Sequence, residues 1–239
     1  MMRLDRLLVT LAIGSRRDVQ ALIRQGLVSR NGEIARDPGM HVEETDQILV
    51  RGQRIDTRLT RHVMLNKPEG LLTAARDKKQ RTVMDLFPPE FATLACMPVG
   101  RLDRDTTGLL LLTTDGELAH RLLAPQRHVD KTYRAEVDAD LTAEDVRSFA
   151  EGLDLGDFTA AGARLVMEGP RTGLVTIHEG KFHQVRRMFE KVGKEVLRLD
   201  RLSFGPLSLD PSLGRGAWRE LTEDEVRKLY ESAKMEEKA

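Results

Sequence analysis

The sequence is short of cysteine, of aromatic residues and of any surplus of one charge, and each shortage narrows what the chain can be. A single cysteine, Cys96, among 239 residues excludes an internal disulfide and a cysteine-rich zinc site, as expected for a reducing, cytoplasmic protein. Aromatics make up 4% of the chain, with two tyrosines and one tryptophan, so a polar aromatic such as Tyr133 is conspicuous. Acids and bases balance at 38 each, so no global field attracts a polyanion, and any nucleic-acid surface has to come from local clusters of Arg and Lys. The N-terminal "MMRLDRLLVTLAIGSRR" is too short and too charged to span a membrane and lacks a small-residue cleavage site. There is no Walker loop, dinucleotide fingerprint or G-x-S-x-G elbow. The histidines His41, His62, His120, His128, His178 and His183 show no metal-ligand spacing on one helix. The expectation is a chain with no metal and no nucleotide or other cofactor.

What is present is a core-forming chain with 40% hydrophobic residues. Leu4, Leu7, Leu8 and Leu11 fall at helical spacing, and Ser15 with Asp18 forms a capping-box start for a second helix that should stop at Gly26. An Asn31-Gly32 turn between short extended runs, then "QILVRG", predicts a compact helix-helix-strand unit. The predicted boundary separates residues 1–58 from 59–239. Arg3, Arg6, Arg16 and Arg17 cluster on the two helices, which favours a phosphate-tracking surface over a merely solvated face.

Beyond this unit, strands are predicted at Leu109–Thr114, Thr132–Val137, Leu174–His178 and Val196–Phe204. Helices are predicted at Glu117–Leu123, Thr142–Glu151, Lys181–Val192 and Thr222–Lys234. Their irregular order favours an α+β fold with a mostly antiparallel mixed sheet flanked by helices. Three polar pieces could carry chemistry. The first is "GRLDRD", with Arg101, Asp103 and Asp105 in a charged loop before the apolar run Leu109–Leu112. The second is "DKTYRAEV", with Lys131 and Tyr133 on a strand. The third is "GKFHQVRRMFEKVG", where Phe182, Val185, Met188 and Phe189 share a predicted helical face while Lys181, His183, Arg186 and Arg187 lie off it. Taken singly, the pieces fit ordinary ion pairs, a satisfied core tyrosine and a solvated helix better than they fit chemistry.

Taken together, in order, they are specific. "RLDRLL", "SRR" and "GLVSRNGE" resemble the S-four-like RNA-binding module. "LNKPEG", "GRLDRDTTGLLLLTTDG", "KTY" and "GKFHQVRRMF" resemble the motifs of the pseudouridine synthases, in particular the RsuA type, over nearly the whole chain. The resemblance implies isomerisation of a uridine within RNA. It implies Asp103 as the reacting carboxylate, either as nucleophile or as the base that starts glycal formation, with Arg186 as its charge partner. Tyr133 would stack on the target base and serve proton transfer near the sugar, Arg101 would fill the space left by the extruded nucleotide, Lys131 would meet backbone or an RNA phosphate, and Lys181, His183, Arg187 and the N-terminal arginines would contact RNA. Asp105 is expected to bond local backbone amides. The implied partner is 16S ribosomal RNA or a small-subunit assembly intermediate, met by a monomer. Two alternatives remain at this point: a 23S ribosomal RNA enzyme of the same family, whose members often carry another residue at the lysine of "DKTY" or a long basic tail, and a non-catalytic RNA-binding protein.

Overall fold

In the computed structural model, which describes residues 1–236, the chain forms two units. The first comprises Met1–Arg61 together with Phe87–Cys96. Its helices α1 (Leu4–Thr10) and α2 (Arg16–Arg24) bury the leucines and branched residues that repeat at helical spacing. The Ser15 hydroxyl accepts from the Asp18 amide at 3.3 Å while the Asp18 carboxylate accepts from the Ser15 amide at 3.1 Å. These reciprocal bonds satisfy two amides that the helix start leaves open. Gly26, at φ +71°, ends the segment. A four-stranded antiparallel sheet follows, from β1 (Val28–Arg30), β2 (Glu33–Ile34), β3 (Ile48–Val50) and β4 (Gln53–Arg54), in the order β2-β1-β3-β4. Asn31 and Gly32 turn the first hairpin with φ of +53° and +88°, the pair of left-handed residues that a tight two-residue turn requires. Leu4, Leu8, Val19, Ile23, Val28 and Ile48 meet in one core. The segment Phe87–Cys96 carries a short helix, Pro89–Thr93, and the Thr93 hydroxyl donates to the Thr10 carbonyl at 2.6 Å.

The second unit comprises His62–Leu86 and the chain from Met97 onward. It is built on a nine-stranded sheet whose main path runs β8-β9-β7-β10-β6-β5-β11. These strands are β5 (His62–Lys67), β6 (Thr106–Thr113), β7 (Lys131–Val137), β8 (Arg164–Gly169), β9 (Thr172–Ile177), β10 (Val196–Phe204) and β11 (Trp218–Glu220). Among the described strand pairs of this sheet only β10–β6 is parallel, so the sheet is mixed and mostly antiparallel, as the irregular order of elements predicts. Helices α3 (Gly116–Leu123), α4 (Ala143–Glu151), α5 (Gln184–Lys191) and α6 (Glu223–Ser232) complete it. Thr142 with Asp145 and Thr222 with Glu225 form capping boxes, and the Asp115 carboxylate caps α3 while accepting from the Tyr230 hydroxyl at 2.9 Å. Leu109 and Leu111 of β6, Leu118 and Leu122 of α3, Phe204 of β10 and Leu229 of α6 share a core. Behind the quoted loop the structure is therefore dense and apolar, and a one-methylene error there would be felt.

One predicted element is corrected. The helix expected from Lys181 begins only at Gln184, because His183 takes the left-handed conformation at φ +49° and breaks the backbone direction. Val185, Met188 and Phe189 form the buried face as expected, whereas Phe182 lies before the helix and is 75% exposed. Strand β8 was not predicted, since only Leu165 among its residues is buried and the alternation is lost at an edge.

Candidate active site

The loop carrying Asp103 is fixed from below by a cation that sequence reading missed. Lys67, the last residue of β5, is fully buried, and its ammonium donates to the carbonyls of Thr106 at 2.9 Å, Asp103 at 3.0 Å, Pro68 at 3.2 Å and Arg104 at 3.3 Å. Burial pushes it down to about 8, against the pull of Asp105, Asp103 and Glu69. The Gly70 amide donates to the Arg104 carbonyl at 2.8 Å, and the Thr73 hydroxyl donates to the Leu102 carbonyl at 2.8 Å. Thus three residues just after or at the end of β5 hold the loop by its backbone, while Arg101, Arg104 and Asp105 stay exposed and Asp103 partly so. The only hint in the sequence is that "HVMLNK" runs apolar into a lysine immediately before a proline.

Above the loop is a cavity of about 330 Å³ to which all three polar pieces contribute. Arg101, Asp103 and Thr106 come from the loop and the start of β6, Tyr133 from β7, and Lys181 through Arg186 from the turn before α5 and its first residues. Tyr133 alternates inward along β7 and is 8% exposed, so its ring forms wall rather than surface. Arg101 is exposed at the edge. The Nε2 of His183 lies 3.5 Å from Oδ1 of Asp103, and its ring stacks on Phe182 with centroids 3.9 Å apart and planes at 17°.

The expected Asp103–Arg186 pair takes a different form. Arg186 lines the cavity beside Asp103, but its guanidinium pairs with Oδ2 of Asp105 at 2.8 Å and donates to the Val196 carbonyl at 2.9 Å. The turn closed by the Thr106 amide on the Asp103 carbonyl directs the two carboxylates into different cavities. Asp103 faces the first, and Asp105 faces a second of about 720 Å³ that Arg186 also borders. Asp105 is therefore an ion-pair partner for Arg186, and the expectation that it bonds local amides is replaced. The buried Nε of Arg186 and the buried hydroxyl of Thr106, both lining the first cavity, have no hydrogen-bond partner among the described residues.

Other residues expected at the RNA have partners within the protein. Lys131 is buried and donates to the Val129 carbonyl at 2.7 Å, with its ammonium 5.6 Å from the centre of the Phe204 ring, so of its two expected partners it takes backbone here. Burial and the neighbouring Arg201 push it down to about 8. Arg187 pairs with Asp157 and donates to the Leu155 carbonyl at 2.8 Å, which turns its guanidinium toward residues 155–157. Lys181 stays at the cavity, 3.3 Å from Glu179 and over the Phe158 ring.

In the first unit, the arginine cluster is organised by one buried carboxylate. Asp5 accepts from Arg3 at 2.9 and 3.0 Å and from the Arg6 amide at 2.8 Å, with Arg16 at 3.9 Å. The Arg3 guanidinium holds the Asp5 carboxyl below the usual carboxylate range. Arg3, Arg6 and Arg16 border one concavity of about 290 Å³, while Arg17 is exposed on α2.

Among the described residues no helix is long and apolar enough to cross a membrane. The sequence pattern of the RNA pseudouridylate synthase family matches residues 61–191, and that of the S4 domain matches residues 2–48. An uncharacterized RNA pseudouridine synthase of Bacillus subtilis is 43% identical, covering 96% of this chain and 99% of its own. Ribosomal small subunit pseudouridine synthase A of Pseudomonas aeruginosa is 42% identical over 94% of this chain and 99% of its own. Ribosomal large subunit pseudouridine synthase B of B. subtilis is 39% identical over 96% of each chain. A crystal structure of a pseudouridylate synthase superposes with a TM-score of 0.69 at 33% identity over 96% of this chain and all of the other. With an aspartate, a tyrosine and an arginine from three separate segments gathered at one cavity, and these likenesses running the length of the chain, the protein belongs to the RNA pseudouridine synthase family, of the RsuA type with an N-terminal S4 domain.

Proposed function

We propose that the chain converts one uridine of 16S ribosomal RNA, free or in a small-subunit assembly particle, to pseudouridine, with Asp103 as the reacting carboxylate. The observation that carries this reading is the shared cavity: Asp103, Tyr133 and Arg186 line it although they are far apart in the chain. Isomerisation breaks the bond from the ribose to N1 of uracil, turns the base and joins C5 to the same carbon. N1 gains a proton and C5 loses one, so nothing is oxidised or reduced. An anionic carboxylate beside the sugar suits this chemistry, whether it attacks the anomeric carbon or removes a proton to begin glycal formation. Arg186 supplies positive charge at the same wall, and Tyr133 offers a ring face to the base.

A stacked uridine cannot reach Asp103, so the nucleotide has to leave its helix, at a cost of a few kcal/mol. Stacking on one ring returns about 1 to 3 kcal/mol, and so Tyr133 needs help from Arg101 in the vacated space and from phosphate contacts by Arg3, Arg6, Arg16, Arg17 and Lys181. The small-subunit target rests on the resemblance of "VDKTY" and "KFHQVRRMF" to the RsuA type and on the 42% identity to the small-subunit enzyme; the 39% identity to the large-subunit enzyme favours the competing 23S reading. Site-resolved pseudouridine mapping in cells lacking the protein separates them: a mark missing from 16S RNA and restored by the wild-type chain is expected, and a mark missing only from 23S RNA defeats the assignment. Asp103→Asn should abolish turnover while leaving RNA affinity nearly intact, because phosphate contacts dominate binding. Full turnover in that variant removes Asp103 from the mechanism.

A further inference from the structure

Among the side chains at the cavity to which the proposed reaction gives no part, Phe182 is the most exposed aromatic. Phe182 lines the same cavity as Asp103 and Tyr133, yet it is 75% exposed where Tyr133 is 8% exposed. A phenyl ring held in water costs free energy unless something covers it. Its setting is not that of a loose surface residue. One face lies flat on the His183 imidazole, and that imidazole is fixed twice, by its contact with Asp103 at 3.5 Å and by a backbone at φ +49°, a conformation that non-glycine residues adopt at a cost of about 1 kcal/mol or more. The outer face of Phe182 is thus a flat apolar surface on an ordered two-ring stack. Two cations, Lys181 with its ammonium 3.3 Å from Glu179 and the exposed Arg101, line the same cavity. A flat apolar face in a cavity that also carries cations fits a nucleobase with its phosphate, and nucleobases stack on aromatic rings irrespective of their edges.

We propose that Phe182 is a stacking platform for the base of a nucleotide next to the extruded uridine, which makes it a context-determining residue, with Tyr133 receiving the target base inside and Phe182 its neighbour outside. This rests on the reading of the cavity as the site of an RNA isomerase.

The test uses the full-length protein and begins with 16S and 23S transcripts, in which the modified uridine is mapped. If neither is modified by the wild-type chain, with assembly particles giving the same result, the RNA isomerase reading fails before Phe182 is examined. Once the uridine is located, a hairpin of its surrounding sequence is made in versions with an abasic residue on its 5′ or its 3′ side. Phe182→Ala should raise KM about tenfold with kcat little changed, and Phe182→Trp should restore it. In wild type, one of the two abasic hairpins should show the same tenfold loss, and that loss should vanish in Phe182→Ala. If both abasic penalties persist undiminished in Phe182→Ala, the base is not stacked there and the proposal is overturned. A fall in kcat without a change in KM overturns it too, because Phe182 would then only prop His183. Normal KM on naked hairpins with loss confined to assembly particles would point instead to a protein partner.

Discussion

The two units handle their cations in opposite ways. In the first, Arg3, Arg6 and Arg16 gather around the single buried carboxylate of Asp5 and leave their outer nitrogens toward solvent. In the second, Lys67 is submerged and bonded only to main-chain carbonyls, while Arg186 is tied to Asp105 and to the Val196 carbonyl. Exposed, clustered guanidinium groups act at range on a polyanion and are screened by salt. A submerged ammonium acts on the few atoms it touches. Substitutions of these cations should therefore separate, the N-terminal arginines moving affinity and Lys67 or Arg186 moving turnover or stability.

The largest effect is expected where the second unit has no slack. Gly108 of β6 sits at φ +100°, and a Cβ there would lie 2.3 Å from the Arg201 carbonyl oxygen of β10. Gly108→Ala should cost roughly 3 kcal/mol or more, read as a shift of the urea midpoint, because both strain and overlap with backbone oppose it. A shift below about 1 kcal/mol would mean the β10–β6 pairing yields more readily than close packing allows.

Next in size is Lys67→Met, which takes a donor from four carbonyls at once, of which Asp103 and Arg104 keep the amides of Thr106 and Gly70. Leaving buried polar groups unmet costs about 1 to 3 kcal/mol each, with partial relaxation, so a lower midpoint together with a lower kcat is expected. The wild type should also lose kcat as pH rises through about 8, since a neutral amine has one N–H fewer to give to the loop. The sign for stability is the reverse. The folded chain releases this proton near 8 and the unfolded chain near 10.5, so between those values the unfolded state binds more protons and this group's term in unfolding free energy rises with pH. Lys131 titrates in the same window, so the assignment to Lys67 requires the limb to disappear from the profile of Lys67→Met.

Smaller again is the paired substitution Arg6→Ala with Arg17→Ala. It should weaken RNA binding and reduce the slope of log affinity against log salt by about 2, with kcat unaltered. An unchanged slope would remove these arginines from the phosphate contacts. The smallest effect is for Lys131→Met, whose ammonium is turned inward: the salt slope should not change at all. A drop of about 1 in that slope would restore Lys131 to the RNA surface.

Elements whose signal is local were legible in the sequence. Ser15/Asp18, Thr142/Asp145 and Thr222/Glu225 each begin a helix where the spacing predicts one, because a capping box is settled within four residues. The Asn31-Gly32 turn is legible for the same reason. That Asp103, Tyr133 and Arg186 meet was available only through the family resemblance, since strand order cannot be read from alternation. Side-chain direction within a turn was not legible at all, which is why Arg186 was expected on Asp103 and stands on Asp105. Helical periodicity ran past its true start to include Phe182, as a left-handed His183 leaves no mark in composition. Lys67 was overlooked because a lysine is ordinarily a surface residue, and only the pattern of carbonyls around it shows otherwise.

The return of Phe87–Cys96 to the first unit has a consequence for how the chain is born. Thr93 bonds the Thr10 carbonyl, so the N-terminal unit stays incomplete until the ribosome has extruded more than thirty further residues beyond Arg61. Its helices and hairpin can form early, but the final fastening comes from a stretch translated after the opening strand of the next unit, and synthesis therefore interlocks the two in time.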